Sequence, residues 1–312
     1  MESDREFPRS LAPLRAPLDR ELLEHSVSSL APEGETSRAL LDAGIVPPHS
    51  LTPVTLFLLA SQPRPAQPDG SRARGPIAGG VWTRQQITYH RPVRLDEVLE
   101  TRGEVARRYV RAGRMFSIST SETRNADGLL AVSSCATGLQ QYRRDESLAD
   151  SEEGRSEADV SRPAPDPSVA SANPSLGVLG ALRVGERLVA PTVEVSLARM
   201  RDRDAGRDEN PIHTDPEEAR RAGLSAPIVG GSHVLAYLQD FLMSSWGHEA
   251  LLHGAYFDAR WLSPVHAGKK IEPSATVSAC DSGRVELEME VLCEGQSALV
   301  GTLVIPLAEA SG

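Results

Sequence analysis

Aromatic side chains are scarce in this chain of 312 residues, at 4% of the total. That scarcity speaks against stacking platforms for nucleic-acid bases. A cationic surplus is missing as well. The sequence has 33 Lys and Arg against 43 Asp and Glu, for a formal net charge of −10. Phosphate binding needs clustered Lys and Arg, so neither nucleic acid nor an anionic membrane surface is an expected partner. Cysteine is rare: Cys135, Cys280 and Cys293 fit no metal-ligand spacing. So sparse a set points to a reducing compartment and to small apolar residues on strands. Long apolar runs are lacking too. None reaches the ~20 residues that span a bilayer, and the N-terminus MESDREFPRS is charged, with no apolar signal-peptide core. The expected location is the cytoplasm. What remains is an ordinary globular composition, 40% hydrophobic and 24% charged. The length admits one large domain or two of usual size.

The apolar pattern divides the chain into residues 1–144, an acidic linker at 145–174, and residues 175–312. The linker reads DESLADSEEGRSEADVSRPAPDPSVASANP. It has too few large apolar residues to offset the cost of ordering, which predicts extended or disordered chain. In the second half, His233–Ser245 sets Val234, Leu235, Leu238, Phe241 and Leu242 at helical spacing. Strands are predicted at Tyr256–Leu262, Ile271–Cys280, Arg284–Cys293 and Ala298–Pro306. The third is the clearest, because Val285, Leu287, Met289 and Val291 alternate with Glu286, Glu288 and Glu290.

The first half repeats the order. An apolar helix is expected at Leu51–Ser61, followed by the glycine-rich loop GPIAGG and VWTRQQITYH. Strands follow at Val98–Arg107, Met115–Thr123 and Leu129–Tyr142. The turn RPVRLDE matches SPVHAGK of the second half. One helix and then consecutive strands, twice over, predicts an α+β fold with antiparallel sheets wrapped around helices.

The chemistry concentrates in AGRDENPIHTDPEEA, which holds Asp208, Asn210, His213 and Asp215. Pro211 restricts Asn210 to extended geometry, so these side chains sit on a shaped loop. A carboxylate and an imidazole five residues apart on such a loop can share a water and move its proton at neutral pH. Asp215-Pro216 reads as an ordinary N-cap followed by proline at the first helical position. Then comes APIVGGSH, with Gly230 and Gly231 at the start of the His233 helix. Free N–H groups there suit a developing thioester oxyanion. Close helix–sheet packing is the alternative reason for Gly231. His233 is either a pocket residue or a helix-start residue. Arg201, Arg203 and Arg207 either attract a phosphopantetheine or coenzyme A phosphate or form a solvated cluster with Asp202, Asp204 and Asp208, the cluster being the favoured reading.

The run from Asp208 through NPIHTD, followed by PIVGG before an apolar helix, resembles the MaoC-like or hydratase 2 family, including two-domain members similar to mesaconyl-CoA hydratase and 3-hydroxyacyl thioester dehydratase. The resemblance implies a double hot dog. It implies hydration of a 2-enoyl thioester, or dehydration of a 3-hydroxyacyl thioester, carried on coenzyme A or acyl carrier protein. By it Asp208 and His213 form the catalytic pair and the Gly231 N–H binds the thioester oxygen. Asn210, Ile228, Gly230, Ser232 and His233 line the substrate site. No cofactor and no metal are implied. Residues 1–144 resemble the half that lacks the Asp/His pair and shapes the acyl pocket. Arg207, Gly230 and Ser232 depart from the family pattern. Those departures keep open conjugate addition of an amine or another nucleophile. A thioesterase and a non-catalytic acyl-binding subunit are further alternatives, and a homodimer is left open.

Overall fold

The computed structural model describes residues 7–18, 20–51, 80–140, 142–154, 160, 182–204, 210–281 and 283–307. Most of the helix expected at Leu51–Ser61, the GPIAG part of the glycine-rich loop, Arg207, Asp208 and most of the linker lie outside these residues.

The strands run β1 (Arg9–Ser10), β2 (Leu14–Pro17), β3 (Val81–Tyr89), β4 (Val98–Arg111), β5 (Arg114–Asn125), β6 (Leu130–Leu139) and β7 (Ser151–Gly154). They continue as β8 (Arg187–Val189), β9 (Val193–Glu194), β10 (Ala255–Trp261), β11 (Lys270–Cys280), β12 (Arg284–Cys293) and β13 (Gln296–Pro306). The helices are α1 (Arg20–Ser28), α2 (Glu35–Asp42), α3 (Leu197–Asp204), α4 (Pro216–Arg221), α5 (Gly231–Trp246) and α6 (Glu249–Leu252). The predicted strands and the second-half helix are all present, with ends shifted by a few residues. Among the described residues no helix is long and apolar enough to cross a membrane.

The thirteen strands of the described residues join one sheet; ten run in the order β1-β4-β5-β6-β3-β10-β13-β12-β11-β8, while β2 and β7 also pair with β4 and β9 with β11. The order is symmetric about its centre: β4-β5-β6-β3 on one side answers β11-β12-β13-β10 on the other. The seam is the antiparallel pair β3–β10, in register from Ala255 opposite Tyr89 to Arg260 opposite Arg84. On one face of the seam, Arg84 grips Asp258 through two bonds of 2.8 and 2.6 Å. The other face is the core. Tyr89, Ile87, Phe257 and Ala255 are fully buried there, in one cluster with Leu235, Leu238 and Leu242 of α5.

The period-two pattern of β12 appears as expected, with Val285, Leu287, Met289 and Val291 buried. All three cysteines lie on strands and are free thiols. In the linker segment, Ser151–Gly154 pairs along the edge of β4. Val160 packs with Ala106, Ile118 and Cys135.

Helix α5 is apolar around most of its circumference because it is enclosed. Its start is set by Gly230 and Gly231, and Gly247 stops it at φ 87°. On β13, Gly301 lies opposite Ala259, and a Cβ there would collide with the Asp258 carbonyl oxygen. Gly301→Ala is therefore expected to destabilise the protein by about 1–3 kcal/mol. A lower urea midpoint with an unchanged m-value checks this.

Candidate active site

The second half builds its site on three local devices. The first is the loop after α3. Asn210 is extended ahead of Pro211 (φ −142°), and Pro211–His213 makes a single 3₁₀ turn. The second is the cap of α4, where Asp215 accepts N–H bonds from Glu217 and Glu218, with Pro216 at the first helical position. That is the cap predicted from the sequence. The third is a brace from behind: the Arg201 guanidinium donates to the Thr214 carbonyl at 3.2–3.3 Å. Arg201 therefore holds the loop instead of only carrying surface charge.

Between these devices His213 has a defined orientation. Its Nδ1 lies 2.7 Å from the Ile228 carbonyl oxygen. A carbonyl only accepts, so Nδ1 carries the proton and Nε2 keeps its lone pair. The Asn210 Nδ2 approaches that nitrogen at 3.4 Å. The same Asn210 amide donates to the Gly80 carbonyl at 2.9 Å, reaching across to the first half. Desolvation holds the His213 pKa below 6.5, although the Ile228 bond and the Asp204 carboxylate favour the charged form. His213 is therefore neutral at pH 7 and presents a base.

Nε2 faces the start of α5. An ideal Cβ on Gly230 would lie 3.9 Å from both Nε2 and Cε1 of His213. The first bond inside α5 is donated by His233 to the Gly230 carbonyl, so the N–H groups of Gly231 and Ser232 precede it. A Cβ on Gly231 would stand 3.0–3.2 Å from the Trp261 indole. A side chain here would press on the indole, so close packing is a reason for glycine whatever its N–H does.

The structure brings together His213, Asn210, Gly230 and the carbonyl of Ile228. The Ile228 side chain packs in an apolar cluster with Ile212, Ala219 and Leu224, so its contact with His213 is the backbone. Ser232 meets Arg203 through its carbonyl at 3.5 Å. His233 does not join this group. It is 1% exposed, stacks on Tyr237, and sets Nε2 3.4 Å from the Ser29 carbonyl. Helix periodicity from Gly231 turns it into the core. Asp208 lies outside the described residues. Sequence reasoning missed Gly80, Trp261 and the nearby charge of Asp204. A Trp ending an apolar strand was the visible signal for one of these. Among the described residues no group of three His, Cys, Asp or Glu could hold a metal ion.

His233 and His49 share a buried polar region with Arg203, and burial holds both pKa values well below 6.5. Unfolded chains take up these protons from about pH 6.5 downward, while the folded protein resists. Stability is therefore full above about pH 6.5 and is lost progressively as pH falls. Urea midpoints between pH 7.5 and 5 should drop steeply, and less steeply in His233→Gln.

Comparison with known proteins fits this geometry. Residues 184–296 match the family model described as MaoC like domain. No curated protein matches the chain. A solved structure described as a MaoC-like dehydratase superposes with TM-score 0.70 at 17% identity, covering 96% of this chain and 98% of that one. A MaoC-like dehydratase from Phytophthora capsici gives 0.66 at 16% identity, covering 98% and 97%. A Mycobacterium tuberculosis protein described as having a double hotdog fold gives 0.62 at 16% identity, covering 97% of each. At such identities the likeness is one of fold. The chain is a double hot dog, and its residues 184–296 are similar to the MaoC like domain.

Proposed function

We propose that this chain is a hydro-lyase that hydrates a 2-enoyl thioester or dehydrates a 3-hydroxyacyl thioester. The observation that carries this reading is the tautomer of His213. Its Nδ1 proton is committed to the Ile228 carbonyl, and its Nε2 lone pair faces the glycines that open α5. A neutral base beside the free N–H groups of a helix start is what addition to an enoyl thioester requires.

In the hydration direction His213 holds a water, with Asp208 as the second member of the pair by the family resemblance. Nε2 takes one proton of the water, and the oxygen bonds to the β-carbon. The double-bond electrons shift toward the thioester oxygen, which the Gly231 N–H stabilises. Return of the proton to the α-carbon restores the carbonyl. Asn210 ties the loop to the first half, and that half shapes the acyl pocket. Coenzyme A or an acyl carrier protein carries the substrate, in the cytoplasm.

The direct test follows loss of enoyl absorbance with crotonyl and longer-chain thioesters, with and without added amines. His213→Ala and Asp208→Asn should each lower kcat/KM by about 10²–10⁴-fold. No turnover of any enoyl thioester by the native protein would overturn the reading. Free thiol released without loss of the enoyl signal would identify a thioesterase instead.

The acid limb of kcat/KM is expected below pH 6.5, because the His213 pKa is lowered by burial. The base is lost as pH falls through that depressed value, so activity should persist at pH 6.5. A pH–rate profile checks this. Asn210→Ala should lower kcat without unfolding the protein, because the loop loses its Gly80 tether.

A further inference from the structure

Helix α3 is held mainly by charged side chains. Of its eight residues only Met200 is buried, and Leu197 packs partly against the core. A helix this short and this polar gains little from propensity or from an apolar face, so directional bonds set its place. Arg199 pairs with Glu33 at 3.1 Å and donates to the Tyr237 hydroxyl at 3.2 Å. Asp202 accepts from the Ser28 hydroxyl at 2.7 Å and lies 2.7 Å from His25 Nδ1. Arg203 donates to the Ser26 carbonyl and hydroxyl at 3.3 and 3.2 Å. These three side chains clamp α3 to α1 and the turn after it, in the first half of the chain.

The remaining contacts of α3 reach both parts of the site. The Arg201 guanidinium donates to the Thr214 carbonyl, one residue past His213. Arg203 extends to the Ser232 carbonyl at 3.5 Å, one residue past Gly231. The base and the helix start are each held at the residue that follows them, by two arginines of one helix. Addition to the β-carbon needs the water on Nε2 and the thioester oxygen on the Gly231 N–H at the same time. A shift of about 1 Å between those two points costs up to about 100-fold in rate, without weakening the grip on the acyl chain.

We propose that Arg203 is a positioning residue for the reaction, which acts through α3 to hold the start of α5 at a fixed distance from His213. Its effect on rate rests on the hydro-lyase reading above; its effect on structure rests on the contacts of α3 alone. Because α3 takes its reference from α1, the first half of the chain sets a distance within the second.

Hydrogen exchange read by mass spectrometry and turnover of crotonyl thioester test this together. In Arg203→Met, peptides over residues 210–216 and 228–236 should both exchange about tenfold faster, the His213 loop as well as the helix start. The kcat should fall about tenfold or more while KM stays within about twofold. Arg201→Met should act in the same direction. The double variant should lose less than the product of the two single losses, because both act through one helix. Arg203→Lys keeps the charge but not the planar fork, so it should recover little of the kcat. Where Arg203→Met does not fold, Arg203→Lys is read for the same exchange and the same split of kcat from KM. Faster exchange confined to α1 and α3 overturns the proposal, as does full kcat in Arg203→Lys. Failure of the native protein to turn over any enoyl thioester sinks the hydro-lyase reading, while the exchange rates still judge the tie between α3 and the site.

Discussion

The antiparallel pair β3–β10 is the contact on which the rest of the molecule depends. It fuses two half-sheets into one and sets their register residue by residue. A slip of one residue would turn Ile87, Tyr89, Phe257 and Ala259 to the wrong face. The bidentate Arg84–Asp258 pair on the opposite face disfavours that slip, since both groups are largely shielded from water and neither tolerates losing its partner. Desolvation alone would raise the Asp258 pKa, yet it is lowered, chiefly by Arg84. Register and chemistry are linked through this seam. Gly80 directly precedes β3 and holds Asn210, so the loop that carries His213 is positioned from the other half.

A second tie between the halves is a buried polar network. Ser29 accepts from the Tyr237 hydroxyl, and Tyr237 accepts from Arg199, which pairs with Glu33 at 3.1 Å. Arg203 donates to the Ser26 carbonyl and hydroxyl. Ser37 donates to Asp240 through its backbone N–H at 2.8 Å and through its hydroxyl. Apart from the Arg199–Tyr237 bond, which joins α3 to α5, each link joins α1, α2 or the turn between them to α3 or α5. Apolar packing of short helices on α5 would tolerate sliding. Directional bonds to buried groups do not, because a displaced helix leaves partners unpaired at about 1–3 kcal/mol each. The network thus fixes where α5 starts, and with it the distance from Gly230 to His213.

Much of this was legible in the sequence because periodicity reports burial on one face. The alternating glutamates of β12 and the Pro-Val turns required the strands found. The Asp215-Pro216 cap was readable because capping is local. His213 was singled out through its neighbours, but the orientation of its ring was not, since Ile228 accepts through a carbonyl that no sequence pattern marks. His233 shows the limit in the other direction. Its place beside two glycines suggested a pocket residue, but helix phase turned it inward onto Tyr237. Gly80 was invisible as a neighbour of the His213 loop because register across the seam, not sequence distance, brings it near. Asp208, on which the sequence reading leaned most, lies outside the described residues.

The asymmetry between the halves bears on why two hot dogs are joined in one chain. The matched turns Pro92-Val93 and Pro264-Val265 are each bridged to the chain ahead of a helix, Ile45 to Arg94 and Ile228 to His266, which makes Tyr89 equivalent to Trp261 and Gln85 to Phe257. In a symmetric dimer of identical halves each such pair would be one residue. Fusion frees them to differ. The loop that carries His213 belongs to one half and the Gly80 carbonyl that holds Asn210 to the other, so each half can change where the other is constrained.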